Sequence, residues 1–222
     1  RVPRRGSGGG AWSVQGCKTE ALDGRVRVGE VLEGCCIEAR FGNSDGLLMK
    51  PVRMRGIDFL GDEWTAYQGT YQPQRDATAA EAKRVMEFAR LVNQASDEDF
   101  QKKIGEFLDV DAFLRFQAVN ALTANLESFF AFGQNYHLYL NAKTNKFVFL
   151  PGDLEFSLAN FLLMGTPEQL MDLSLTKPYP GENKLPDRLL AMKDAKGKYK
   201  TLLTDTTGRG SWRERGWSAV VG

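Results

Sequence analysis

The chain contains little histidine and cysteine, no long apolar run and no excess of either charge. Its 222 residues include one His, three Cys, 29 Lys and Arg, and 28 Asp and Glu. A single histidine has no second imidazole with which to build a metal site, and the balanced charge gives no reason to expect nucleic acid as a partner. Because no run of about 18 apolar residues occurs, no membrane span is predicted. The cysteines, Cys17, Cys35 and Cys36, suit neither a disulfide framework nor a metal site.

The sequence instead has the composition of a globular protein, with 42% hydrophobic and 26% charged residues. Its character changes along the chain, which predicts an irregular segment over residues 1–39, a folded domain over 40–203 and an irregular tail over 204–222. The two ends are interpreted either as irregular tails or as sequence translated out of frame. The glycine-rich run 6–10 indicates a linker rather than a phosphate-binding loop, because no strand precedes it.

The first half of the folded region has strong local signals. Leu47–Met49 reads as a short strand that ends at Lys50, and the following segment to residue 77 reads as irregular. A helix is expected from Thr78, whose spacing to Glu81 is that of a capping box. Two further helices are expected, one starting at Ser96 and one with Asp109 as its N-cap.

The second half is predicted to begin with a β-hairpin. Residues 136–140 and 146–150 are dense in aromatic and aliphatic side chains, and the polar stretch between them supplies a turn. A buried connection over 156–165, a helix with Thr166 as its N-cap and one last helix over 187–203 follow. The predicted order is a strand, three helices, a hairpin and then helices.

Acidic and amide residues flank this hairpin. Glu127 precedes it, Asn135 stands at its entry, and Asp153 and Glu155 follow its exit. Because paired strands lie about 5 Å apart, the two ends of the hairpin should be neighbours and the carboxylates should converge. Three adjacent carboxylates repel one another unless a cation such as Mg²⁺ or Mn²⁺ neutralises them. The alternative is that these residues merely solvate a loop.

The order of the parts resembles the way protein kinases present a catalytic carboxylate and a metal-binding aspartate to ATP. More specifically, the chain resembles the C-terminal core of the CotH kinase family. The resemblance rests on "RFGNSDGLLMKP" at 40–51, "NLE" at 125–127, "NYHLY" at 135–139, "TNK" at 144–146 and "PGDLEF" at 151–156.

The resemblance implies an α+β fold, a helix-rich protein-kinase-like C-terminal lobe with the hairpin at the active site. The N-terminal lobe is expected to be missing or unrecognisable in residues 1–39. The family reaction would transfer phosphate from ATP, with Mg²⁺ or Mn²⁺, to Ser or Thr hydroxyls of a protein substrate. Glu127 falls on the family's catalytic acid or base with Asn135 assisting, and Asp153 and Glu155 fall on its metal ligands.

Several departures from the family pattern leave alternatives open. Glu127 and Glu155 replace aspartates, and Gly152 replaces a tryptophan. A catalytically inactive CotH-like binding or surface-structure module, or a Ca²⁺ site without chemistry, therefore remains as a rival. Lys50 is either a phosphate contact or an ordinary surface lysine. The family also favours a secreted protein or one on a cell or spore surface.

Two aromatic features have structural explanations. His137, in the middle of a predicted strand, is expected to be packed with its ring nitrogens satisfied rather than to be catalytic. The phenylalanines close to Glu127 are expected to belong to the core, with a nucleotide or substrate wall as the alternative. They are Phe129, Phe130 and Phe132.

Overall fold

A computed structural model describes residues 21–22, 25–26 and 34–207 of the chain. It separates residues 1–44 from residues 45–222 as two compact units. In the first unit, strand β1 (Ala21–Leu22) pairs antiparallel with β2 (Arg25–Val26), and helix α1 spans Gly34–Phe41. Most of this helix falls within residues 1–39, which were predicted to be irregular. It was missed because two turns are too few for an apolar period to be recognised. The predicted glycine linker, and most of the two predicted irregular ends, fall outside the described residues.

The second unit is built on a three-stranded antiparallel sheet. Strand β3 (Leu47–Met49) pairs with β4 (Tyr136–Leu140), which pairs with β5 (Phe147–Pro151). Both strands of the predicted hairpin are present and paired, with β5 shifted by one residue toward Pro151. Every residue of β4 is buried, which explains why this strand reads as a continuous apolar run without alternation.

Three helices stand where their capping signals predicted them. Helix α3 (Ala79–Gln94) begins with a complete capping box between Thr78 and Glu81. The side chain of Ser96 caps α4 (Asp97–Phe107), and that of Asp109 caps α5 (Val110–Leu122). Each cap satisfies a backbone N–H that the first turn of a helix leaves unpaired.

Helix α2 (Trp64–Tyr71) was missed, because its sequence WTAYQGTY has poor helix propensity and no clear apolar period. Tertiary contacts hold it in place. Tyr67 and Tyr71 are fully buried, and their hydroxyls donate to the carbonyls of Gly61 at 2.9 Å and Asp58 at 2.8 Å. The prediction of an irregular segment here was wrong, because side chains of the helix find their hydrogen-bond partners in the segment before it.

The C-terminal part departs from prediction at two places. Helix α6 (Pro167–Met171) has the expected Thr166 cap, but the single predicted last helix is two, α7 (Lys184–Ala191) and α8 (Lys193–Thr207). The break is at Met192, whose φ of −76° and ψ of 123° are extended.

The connection between Phe156 and Gly165 was predicted to be buried, and it is mostly not. Leu158 and Leu163 are 78% and 81% exposed, whereas Ala159 and Phe161 are buried. Within the described ranges, the structure contains no helix long and apolar enough to cross a lipid bilayer.

Aromatic rings join the helices to the sheet. The ring of Phe113 on α5 lies 4.8 Å from that of Phe149 on β5, and the ring of Phe129 lies 4.9 Å from Phe149 and 5.3 Å from Tyr136. Phe129 and Phe130 are buried as predicted, but Phe132 is 39% exposed. This cluster anchors the loop after α5 to the hairpin.

Candidate functional site

The loop that carries Glu127 is closed by its own backbone. After α5, Ala124 takes a left-handed conformation with φ of 47°, which turns the chain sharply. The N–H of Gln134 then donates to the carbonyl of Glu127 at 3.0 Å, and that of Gly133 to the carbonyl of Ser128 at 2.9 Å. Glu127 is therefore held at the closed base of this loop, beside the hairpin entry.

Asn135 links this loop to the hairpin exit. It has a φ of 50°, and its carbonyl accepts the N–H of Gly152 at 2.8 Å. A Cβ on Gly152 would lie 2.6 Å from the carbonyl carbon of Asn135, so no side chain fits there. The two ends of the hairpin are thus neighbours, as predicted, and glycine at position 152 permits this close backbone contact.

The chain after the hairpin turns back toward the end of α5. Asp153 is half-buried and Glu155 is exposed, and the Oδ1 of Asp153 accepts the N–H of Glu155 at 2.9 Å. Farther on, the N–H of Leu158 donates to the carbonyl of Thr123 at 2.5 Å. Because Thr123 is the residue that ends α5, this bond ties the segment with the two acidic residues to the start of the loop that carries Glu127.

The charges of nearby residues act on Glu127. Burial raises the pKa of Glu127, a hydrogen bond from Asn135 lowers it, the charges of Asp153 and Glu155 raise it, and that of Lys50 lowers it. The structure thus brings all five residues singled out in the sequence into one electrostatic neighbourhood.

One oxygen of the Glu127 carboxylate has no hydrogen-bond partner in the described part of the chain. Its Oε2 is buried and finds no hydrogen bond among the described residues. A buried acceptor without a donor is costly, so this atom is suited to receive a hydroxyl group or a proton. The amide of Asn135 lies near this carboxylate and lowers its pKa.

Buried polar side chains close to Glu127 in the sequence form a series of hydrogen bonds, which the sequence revealed only in part. Asn125 donates through Nδ2 to Oδ1 of Asn120 at 2.8 Å, and Asn120 donates to the carbonyl of Phe116 at 2.8 Å. The Oγ of Ser128 is also buried without a partner among the described residues. Polar residues within the apolar helix sequence were the available signal for Asn120.

Lys50 directly follows β3 and His137 lies on the neighbouring strand β4, and the charge of Lys50 acts on Glu127. The register pairs Met49 with Leu138, so Lys50 follows level with His137 on the adjacent strand. Burial, and secondarily the charge of Lys50, lower the pKa of His137 to about 4. His137 is buried as expected, but its Nδ1 has no partner among the described residues, so the expectation of a satisfied ring was wrong.

The carboxylates are not arranged as a ready metal cage. Within the described part of the chain, no group of three or more His, Cys, Asp or Glu residues is placed to hold a metal ion. Asp153 and Glu155 supply the hard oxygen donors that Mg²⁺ and Mn²⁺ prefer, but Asp153 also binds a backbone N–H. The donor chemistry fits such an ion, and the side chains would have to converge further to coordinate it.

Comparison with known proteins identifies the family. A search of curated proteins finds no significant match. The family described as CotH kinase protein matches residues 30–209, which is most of the chain and includes every site residue discussed above. The chain belongs to the CotH kinase protein family.

Proposed function

We propose that this chain carries a CotH-type kinase site, which transfers a phosphoryl group from ATP to Ser or Thr hydroxyls of a protein in a metal-dependent reaction. The proposal rests on the surroundings of the Glu127 carboxylate. Its carboxylate has one buried oxygen without a partner among the described residues, and burial raises its pKa. A carboxylate with these properties is suited to accept a proton from a substrate hydroxyl.

In the proposed reaction, the substrate hydroxyl oxygen forms a bond to the γ-phosphorus as the bond from that phosphorus to the bridging oxygen breaks. ADP leaves, and the hydroxyl proton passes to Oε2 of Glu127. Asn135, whose amide acts on the pKa of this carboxylate, would donate a hydrogen bond to it during the reaction. Lys50 places a positive charge beside it and is the candidate phosphate contact.

Asp153 and Glu155 would hold the metal ion. When bound, Mg²⁺ or Mn²⁺ supplies positive charge that neutralises the phosphates. The same charge would relieve the repulsion that Asp153 and Glu155 exert on Glu127. Glutamate is one methylene longer than the family aspartate, so the ligand at residue 155 has a longer reach and more rotamers to restrict.

A second candidate function is an inactive CotH-like binding or surface-structure module. It is favoured by the absence, among the described residues, of a carboxylate group ready to hold a metal. The Oδ1 of Asp153 accepts the N–H of Glu155, which reduces its availability to an ion. In this alternative the fold is retained and the phosphoryl transfer is lost.

Thermal unfolding separates the two candidates. The chain is heated with ATP, with Mg²⁺, with Mn²⁺, with Ca²⁺, and with ATP plus each ion. A kinase site predicts stabilisation that requires nucleotide and Mg²⁺ or Mn²⁺ together and is lost in Asp153→Asn. Asp172→Asn, which removes an exposed carboxylate at the end of α6, is the matched control. Stabilisation by Ca²⁺ alone supports the calcium-site alternative.

Phosphate transfer from labelled ATP to dephosphorylated casein then tests the chemistry. Glu127→Gln keeps the shape of the side chain but cannot accept the proton, so labelling should fall at least about 100-fold. Glu155→Asp restores the family residue and should retain or increase labelling. No labelling by the unaltered chain, together with no response to ATP and metal, would leave the inactive module as the function.

A further inference from the structure

A polar pocket is lined by none of the residues of the candidate kinase site. Its volume is about 340 Å³, and it is bordered by the segment that follows β3 and by the start of α7. The lining residues that matter here are Arg53, Arg55, Gly56, Asp58, Asn183 and Lys184. The volume is within the range of small-molecule sites in proteins.

A buried amide provides the first sign of a ligand. Asn183 is 3% exposed, and its Nδ2 donates to the carbonyl of Arg55 at 2.6 Å. Because a carbonyl can only accept, this bond fixes the orientation of the amide and leaves Oδ1 as the free atom. Oδ1 has no hydrogen-bond partner among the described residues. A ligand donor would satisfy it.

Gly56 leaves space beside this oxygen. A Cβ on Gly56 would lie 3.6 Å from Oδ1 of Asn183 and 3.9 Å from Oδ1 of Asp58, and these would be its nearest neighbours. Burial raises the pKa of Asp58, and the charge of Arg55 lowers it. A ligand nitrogen close to this position would therefore meet two acceptor oxygens, one of them a carboxylate.

The same pocket has cationic groups. Arg53 and Arg55 form no salt bridge within the described ranges, and Lys184 makes only a long hydrogen bond, 3.4 Å, to the carbonyl of Asn93. Guanidinium groups bind carboxylates and phosphates through paired hydrogen bonds. Glu182 adds a second carboxylate to the lining, so a simple anion would meet repulsion as well as attraction.

We infer that this pocket binds a small zwitterion of the α-amino-acid type, with its carboxylate toward the arginines and Lys184 and its ammonium over Gly56. The lining combines cationic side chains with acceptor oxygens, and a zwitterion presents a partner to each kind of group. A simple anion leaves Oδ1 of Asn183 without a charged donor, and a simple cation makes no use of Arg53 and Lys184. This inference is independent of the proposed kinase activity.

Binding of L-serine, followed by backbone and side-chain amide NMR, tests the inference. Ethanolamine lacks the carboxylate, glycerate has a hydroxyl in place of the ammonium, and inorganic phosphate is a simple anion. L-Serine should bind with a Kd below about 1 mM and shift the Gly56 and Asn183 signals, and the other three should bind at least about tenfold more weakly. Equal binding of phosphate, or no binding of L-serine, would overturn the inference.

Two variants locate the ligand. Gly56→Ala places a methyl group over the acceptor oxygens at ordinary contact distances, so the fold should persist while L-serine binds at least about tenfold more weakly. Gly105→Ala on α4, with nothing within 4 Å of the added Cβ, is its control. Arg53→Gln should also weaken binding, unlike Arg115→Gln on α5. Unchanged affinity in both Gly56→Ala and Arg53→Gln would contradict the assignment.

Discussion

His137 is the only histidine of the chain, and its burial should make the stability of the fold depend on pH. Its pKa is lowered from 6.5 to about 4, chiefly by burial and then by the charge of Lys50. Between these two values the unfolded chain binds a proton that the folded chain does not. The stabilisation due to neutral His137 is therefore complete above pH 6.5 and is lost as the pH falls to about 4.

The size of this effect follows from the pKa shift. One unit corresponds to about 1.36 kcal/mol, so His137 should remove about 3 kcal/mol from the free energy of unfolding between neutral pH and about pH 4. That is a large part of the roughly 5–15 kcal/mol typical of a folded domain. Other acidic groups titrate in the same range, so the effect must be measured as a difference.

The comparison uses His137→Gln, which cannot titrate. The free energy of unfolding in urea is measured at about pH 7 and about pH 4.5. Its decrease between these pH values should be about 2–3 kcal/mol larger in the unaltered chain than in His137→Gln. In a tag-free protein, the lone imidazole also gives a single proton NMR titration. Lys50→Gln should raise the observed pKa only partly, because burial is the larger cause.

A titration of the folded imidazole with a pKa near 6.5 would refute this reasoning. So would identical pH dependence of unfolding in the unaltered chain and in His137→Gln. Either result would mean that water or a proton acceptor reaches the ring in the folded state, and that the strand does not exclude the charged form.

Three further predictions concern the free energy of unfolding in urea. Gly152→Ala should lose about 1–3 kcal/mol, because the new Cβ would press on the backbone of Asn135, and a neutral result would show that the hairpin exit can shift. Phe113→Ala should lose about 3–5 kcal/mol, since this fully buried ring joins α5 to the sheet, and a loss under about 1 kcal/mol would contradict that role. Thr78→Ala should lower the free energy of unfolding by about 1 kcal/mol, because it removes the N-cap hydroxyl of α3. No change would show that water replaces the hydroxyl.

The helices with clear caps and a regular apolar period were predictable from the sequence. Thr78, Ser96 and Asp109 each accept the N–H of the residue three positions later, so the signal and its effect lie in the same short segment. The hairpin was predictable for the same reason. Because strand pairing brings its ends together, the backbone contact between Asn135 and Gly152 followed as well.

Contacts between separate segments decided the rest. Helix α2 is held by tyrosine hydroxyls that donate to backbone carbonyls outside the helix. A glycine is needed at position 152 because the backbone of Asn135 lies so close to it. Neither leaves a local pattern in the sequence.

The chain by itself thus determined its helix starts, its hairpin and the acidic residues placed around that hairpin. Only the tertiary structure decided which polar atoms are buried without partners among the described residues, including Oε2 of Glu127, Nδ1 of His137 and Oδ1 of Asn183. The physical reason is that burial and hydrogen bonding of a polar atom depend on every segment packed around it, whereas caps and turns depend on their immediate neighbours.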